Sequence, residues 1–259
     1  MSVETVLITG ASSGIGHELA KCFAADGSRL VLVARKGNVL EALATELRKA
    51  HKIQAQVVTA DLAHPEAPVR LLAHLQSAGL KVDVLLNNAG FGAQGKFSKL
   101  PLGRQLEMLQ VNITSLTHLT GLLLPGMIER RHGGILNVAS TAAFQPGPGM
   151  AVYYATKAYV LSFSEALAEE LAGTGVIVTA VCPGPTATNF GAAANMRTLG
   201  LVKKISMSAE VVARLGHRAF RRGRVVAVTG VRNQIPAFLT RVVPRVAVRK
   251  IAKRLNNVS

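Results

Sequence analysis

Six runs of apolar residues punctuate the chain as far as Cys182: Thr5–Thr9, Arg29–Ala34, 54–59, 82–86, 133–140 and 175–181. They are apolar nearly throughout, the pattern of strands covered on both faces. Between them, apolar positions recur at helical spacing over 17–25, up to about His51, and over 65–78, 101–131 and 150–172. A further strand is expected within 224–229. Strands alternating with helices in this way predict an α/β fold, a parallel doubly wound sheet between two helical layers. No repeat or low-complexity linker interrupts the pattern. Residues 1–259 therefore read as one domain, with a substrate-loop region at 189–207 and a helical extension at 234–259.

Composition supports this picture and limits the alternatives. With 259 residues, 49% of them hydrophobic, the chain can bury an ample core. Cys22 and Cys182 both sit in apolar periodic segments, as reduced core thiols of a cytoplasmic protein would. Met1 to Glu4 run directly into a strand, so no signal peptide is expected. The longest apolar stretch, 119–128, is too short for a membrane span and contains Gly121, Pro125 and Gly126. The formal charge is +16, but from Lys203 onward fourteen Lys or Arg stand against a single acid, Glu210. The basicity thus belongs to the C-terminal segment, and the core calls for no nucleic-acid partner.

Candidate chemistry gathers at strand ends. The first strand runs into Gly10-Ala11-Ser12-Ser13-Gly14-Ile15-Gly16 and then a helix, a phosphate cradle built from a close-approaching backbone and free helix N–H groups. Where an NAD site would carry an acid at the end of the second strand, the chain has Ala34 followed by Arg35 and Lys36. Two cations suit a 2′-phosphate, so NADP(H) is the expected cofactor. The fourth run leads into Asn87-Asn88-Ala89-Gly90, a tight turn with close ligand approach. Tyr153 and Lys157 lie one helical turn apart, and Tyr154 has only Ala158 at that spacing. An ammonium beside a phenol should pull its pKa down and make it a proton donor and acceptor for an alcohol or carbonyl. Ser140, at the end of the fifth run, could hydrogen-bond the same substrate oxygen. No metal centre is expected.

Taken in order, Thr9-Gly10-x-x-x-Gly14-x-Gly16, Asp61, Asn87 to Gly90, Asn112, Ser140, Tyr153-x-x-x-Lys157 and Pro183-Gly184 resemble the short-chain dehydrogenase/reductase family over residues 3 to about 190. The resemblance implies a seven-stranded Rossmann sheet and a nicotinamide dinucleotide. It implies Tyr153 as general acid/base, Ser140 orienting the substrate oxygen, and Lys157 lowering the tyrosine pKa while holding the nicotinamide ribose. Asn112 would kink its helix and anchor a water. Asp61, with Leu62 beside it, would reach the adenine, and Asn88, Ala89 and Gly90 would line the adenosine ribose. Around Pro183 and Gly184, Thr186 replaces the family's usual Ile or Val, whose backbone holds the nicotinamide amide; Thr188 matches a threonine near the pyrophosphate. Family members are commonly dimers or tetramers.

The expected substrate wall is mostly apolar: Phe91, Ala142, Phe144, Gln145, Pro146, Met150 and the 189–207 loop. A hydrophobic ketone, aldehyde or acyl thioester fits it better than a sugar. The leading expectation is NADPH-dependent carbonyl reduction. The alternatives are a 3-oxoacyl reductase and, from another class, a non-catalytic NADP-binding sensor or scaffold, against which the full catalytic set argues. Arg130 and Arg131 at one helix end suit docking of an acidic acyl-carrier protein; Gly173 and Thr174 at the next do not. Past Pro236, Arg241, Arg245, Arg249 and Lys253 fall every fourth residue, a basic stripe interrupted near Pro244. It fits either packing within an oligomer or an anionic membrane surface.

Overall fold

The computed structural model describes residues 3–188, 190–194 and 206–256. Seven strands form one parallel sheet: β1 (Thr5–Thr9), β2 (Arg29–Ala34), β3 (Ala55–Thr59), β4 (Val84–Asn87), β5 (Gly133–Val138), β6 (Val176–Cys182) and β9 (Val226–Val228). Their order across the sheet is β3-β2-β1-β4-β5-β6-β9. Two-residue strands, β7 (Thr186–Ala187) and β8 (Met207–Ser208), pair by themselves beyond β6. The order reverses between β1 and β4, and at such a switch the carboxyl ends of the strands diverge into a crevice.

Helices α1 (Gly14–Ala25), α2 (Gly37–His51) and α8 (Ala209–Arg221) supply the core on one face, where Leu19, Phe23, Leu40, Leu47 and Phe220 meet the sheet. On the other face, α3 (Ala67–Ser77), α5 (Ser115–Glu129) and α6 (Ala151–Glu170) bury Leu71, Leu75, Leu119 and Leu167. With both faces covered, the inner strands have almost no solvent side, which is why they read as unbroken apolar runs, while the edge strands β3 and β9 are half-buried.

Three elements differ from the sequence expectation. Asn87 is the last residue of β4 and not part of a turn. Its amide donates to Asn137 Oδ1 at 2.9 Å and Thr120 Oγ1 at 3.2 Å, while Asn137 donates to Ser164 Oγ at 2.9 Å. This buried polar row joins β4 and β5 to α5 and α6. The single helix expected over 101–131 is α4 (Leu102–Leu109), a π-helical turn at Gln110–Thr114, and then α5. Its continuous path, Leu102–Glu129, spans 28 residues of mean hydropathy 1.2, enough by length and composition to cross a membrane. One side of it packs on the domain, where the buried Asn112, Ser115 and Thr120 all bond to other parts of the chain, while Leu102, Leu106 and Ile128 stay exposed. Lastly, the C-terminal helix begins well before Pro236: α9 (Val231–Val242) contains that proline, and α10 (Arg245–Leu255) follows Pro244.

Candidate active site

The crevice beside the switch point holds the glycine turn between β1 and α1. Gly10 has φ +67, and a Cβ there would lie 2.8 Å from the Asn88 amide nitrogen and 2.9 Å from Ala89 Cα. Only glycine allows both the backbone conformation and the close approach. Asn88 is therefore fastened to the turn: its Nδ2 donates to Thr9 O at 2.9 Å and Gly10 O at 3.1 Å. Thr9 Oγ1 in turn accepts the backbone N–H groups of Asn88 and Ala89, at 3.0 and 3.1 Å. The side chain expected along a ribose is spent holding the cradle together; Ala89 leans on the core and Gly90 stays open.

Gly14, at φ +58, faces the Thr188 methyl, and Gly16 is buried against Asn88. Ser12 is half-buried, Ile15 packs on the core and Ser13 is exposed at the N-cap, with no side-chain bond capping α1. The first N–H groups of the helix are thus left for another acceptor. This chain's backbone fits an anionic dinucleotide there.

Past the end of β2, Arg35 is exposed and its guanidinium lies 4.0 Å from the Asp61 carboxylate; Lys36 is exposed at the start of α2. Asp61 also accepts the Ala63 N–H at 3.0 Å. Leu62 lies beside Asp61. Its side chain is in the core and its carbonyl accepts Ser115 Oγ at 2.7 Å, so it offers a ligand only backbone. A cavity of about 270 Å³ opens beside Asp61, bounded by Thr59, His64, Arg70 and His74.

Around the catalytic candidates the polar groups are few and placed. Ser140 caps the short turn Thr141–Phe144, its Oγ accepting Ala142 N–H at 3.0 Å. Its hydroxyl donates to Pro183 O at 3.5 Å, and its dipole acts on the Tyr153 phenol, holding that pKa down against burial. Lys157, buried, donates to Val138 O at 2.7 Å, and its Nζ stands 5.9 Å from the Tyr153 ring centre. Asn112 sits in the π-turn at 1% exposure. Its amide donates to Phe91 O at 3.0 Å and Thr156 Oγ1 at 3.1 Å, and its carbonyl oxygen accepts Phe91 N–H at 3.1 Å. The bulge thus aims one side chain at both the loop after β4 and the α6 turn between Tyr153 and Lys157.

The electrostatics reverse one expectation. Burial pushes the Tyr153 phenol up to about 12, opposed by Ser140 and reinforced by Tyr154. Burial also pushes Lys157 down to about 8. Desolvation of both groups outweighs any lowering of the phenol by the amine, so the Tyr153 phenol is protonated at neutral pH.

Tyr153 is walled by Ala93, Met108, Ala142, Met150 and Phe190, whose ring centre is 5.2 Å from its own. Phe91 borders this cluster and stacks under Arg104 at 3.7 Å. Phe144, expected in the wall, is half-buried and borders the core cluster that contains Leu116, Ala139 and Val160. Gln145 is half-buried beside this turn and acts on the Tyr154 hydroxyl, easing the rise that burial imposes on its pKa. Beyond β6, Pro183 O accepts Thr141 N–H at 2.8 Å, Gly184 abuts Asn233, and Thr186 Oγ1 donates to Gly184 O at 2.9 Å. Residues 189 and 195–205 of the expected substrate loop lie outside the described residues.

Sequence reasoning missed Asn256. At 9% exposure it caps α10, donates to Pro148 O at 2.9 Å, accepts from the Tyr154 hydroxyl at 3.4 Å, and its carbonyl accepts Gln94 Nε2 at 2.9 Å. Nothing local to residue 256 marks it; its partners are at least a hundred residues away.

The family model described as short chain dehydrogenase matches residues 4–198. A serine 3-dehydrogenase of Rhizobium radiobacter is 38% identical over 187 residues, 72% of this chain and 73% of that protein. A very-long-chain 3-oxoacyl-CoA reductase of Bos taurus is 35% identical over 191 residues, 72% of this chain but 61% of the reductase. Among solved structures, a short-chain dehydrogenase from Sphingobium yanoikuyae in complex with NADPH superposes with a TM-score of 0.83 at 33% identity, covering 93% of this chain and 94% of that one. The chain belongs to the short-chain dehydrogenase/reductase family. It is an NAD(P)-dependent oxidoreductase acting on an alcohol–carbonyl pair.

Proposed function

We propose that this protein uses NADPH to reduce a hydrophobic ketone or aldehyde to the alcohol. The observation that carries the reading is a buried Tyr153, one turn from Lys157 and set in an apolar wall of Met108, Met150 and Phe190. When bound, the nicotinamide supplies the hydride. Gly10, Gly14 and the uncapped first turn of α1 would hold its pyrophosphate, and Arg35 its 2′-phosphate, in keeping with the NADPH-bound similar structure. Ser140 orients the carbonyl oxygen, and the Tyr153 hydroxyl donates the proton that this oxygen gains. Lys157, charged below about 8, stabilises the phenolate left behind. Asn112 fixes the turn of α6 that presents both residues.

A second reading, reduction of a 3-oxoacyl thioester, is favoured by similarity to the very-long-chain 3-oxoacyl-CoA reductase. Docking of an acyl carrier through Arg130 and Arg131 is not supported. Arg130 donates to Val82 O at 2.8 Å and Arg131 to Gly173 O at 3.3 Å, before the starts of β4 and β6 and so at the sheet edge opposite the crevice. A non-catalytic scaffold would not need the assembled tetrad. We propose a homodimer or homotetramer, as the family commonly forms. Purified protein with NADPH and a panel of apolar ketones, aldehydes, sugars and acyl-CoA thioesters, followed at the nicotinamide absorbance, tests the reading. Turnover should be highest with apolar ketones or aldehydes; oxidation of NADPH only with sugars overturns it.

A further inference from the structure

The last two helices present a face that the domain does not use. On α9, Val231, Ile235, Phe238, Leu239 and Val242 are between 46% and 71% exposed. Their spacing of four, three, one and three residues places them on a single stripe of about 100°. The opposite side carries the buried Ala237 and the half-buried Asn233, whose Nδ2 donates to Thr229 O at 2.7 Å. On α10, Val248 and Ala252 are buried while Val246, Ile251 and Leu255 remain exposed. The apolar side chains are therefore not residues awaiting their own core; the core side of each helix is already filled.

Charge identifies what fits this face. Residues 231–259 contain seven Arg or Lys and no acid. Arg232, Arg245, Arg249, Lys250, Lys253 and Arg254 are exposed, and among the described residues no ion pair joins any of them to a carboxylate. A second copy docked symmetrically through the same stripe would set these cations against their own images, an arrangement that like charges oppose. An anionic bilayer satisfies both halves of the pattern, taking the apolar stripe below the headgroups and the cations among them. We propose that the α9–α10 cap docks the folded enzyme on an anionic phospholipid surface, with Ile235 and Phe238 at the centre of the inserted stripe. The sequence alone pointed to the row from Arg241 to Lys253, but the extended Val243 and Pro244 break that row between two helices. The continuous feature is the apolar stripe of α9.

Full-length protein with NADPH is sedimented with vesicles of phosphatidylcholine alone or mixed with phosphatidylserine, at low and rising salt. The protein should pellet with the anionic vesicles at low salt and be released in large part as salt rises. Ile235→Ser/Phe238→Ser should cut pelleting severalfold while leaving the circular dichroism spectrum and NADPH binding unchanged, since both side chains are exposed. Arg249→Glu/Lys253→Glu should abolish the preference for anionic lipid. The proposal is overturned by three results: intact protein that stays in the supernatant at low salt, an apolar double variant that pellets like wild type, or that variant changing only the oligomeric mass.

Discussion

At the scale of single residues, the two adjacent tyrosines have different tasks. Tyr153 is buried and one turn from Lys157, whereas the Tyr154 hydroxyl donates to Asn256 and its ring covers Gly147. Tyr153→Phe should lower kcat by about 10²- to 10⁴-fold, the usual worth of a positioned proton donor, with NADPH binding retained by fluorescence titration. Tyr154→Phe should keep most of the rate. The reverse ranking would show that the active site is displaced by one residue. The pH profile follows from the same pair. With Tyr153 at about 12, its proton is in place at any workable pH, while Lys157 at about 8 loses its charge above that value. Reduction measured as kcat/KM should therefore fall as pH rises through about 8, and Lys157→Met should have a much lower rate without that limb. Stability moves the other way. Between about 8 and the ordinary 10.5 the unfolded chain holds the Lys157 proton and the native chain does not, so over that window Lys157 favours folding increasingly as pH rises.

Elements decide how far the sequence could be followed. β1 and β2 were legible to the residue because a buried parallel strand admits little except apolar side chains between punctuating glycines and charges. The π-turn at Gln110–Thr114 left no such trace. Both α4 and α5 keep helical apolar spacing, and the bulge is set by what Asn112 meets from Phe91 and Thr156. For the same reason Phe144 could be named but not placed: an aromatic after a strand suits a pocket or the core equally, and packing decides. The loop after β2 was legible as chemistry, and its test is cofactor choice. Arg35→Ala should raise KM for NADPH by about tenfold or more, as loss of a charge-assisted bond does, and leave KM for NADH nearly unchanged in parallel steady-state assays. Equal losses for both cofactors would remove the 2′-phosphate assignment. The α10 cap was not legible at all, and it gives the sharper prediction about the substrate rim. Asn256→Ala removes the donor to Pro148 O and one acceptor of the Tyr154 hydroxyl. It should cost about 1–3 kcal/mol of stability and raise KM for the carbonyl substrate while kcat changes little. An unaltered melting curve together with an unaltered KM would show that the latch does not shape the rim.

For the whole molecule, the question is what closes a sheet whose first strand lies at its centre and whose last lies at one edge. α8, late in the chain, packs on α1, and Arg221 fixes the contact. Its guanidinium donates to both Glu4 carboxylate oxygens, at 2.9 and 2.7 Å, and to Asp26 Oδ2 at 2.8 Å, while His217 reaches the same Asp26 oxygen at 2.8 Å. The cation also lies 4.7 Å from the Phe23 ring centre, at the top of the core under α1 and α8. Bonds to these carboxylates hold the Arg221 pKa above its ordinary value in spite of burial. An exposed pair would contribute little, but this arginine is two-thirds buried, bidentate, and joins residues 217 positions apart. Arg221→Met keeps the apolar stem over Phe23 and removes the charge, leaving Glu4 with only Ser28 Oγ and Asp26 with only His217 as partners. It should destabilise the fold by about 1–3 kcal/mol, the range for a charge-assisted network partly screened by solvent, read as a lower midpoint in chemical denaturation. Because the clamp lies on the α1–α8 layer, away from Tyr153, kcat at temperatures well below the melt should be unaffected. A variant as stable as wild type would mean that apolar packing of Phe23 and Phe220 closes this layer without the ions. A folded variant with reduced kcat would instead tie the clamp to the glycine turn at the other end of α1, and the two outcomes separate closure of the layer from positioning of the site.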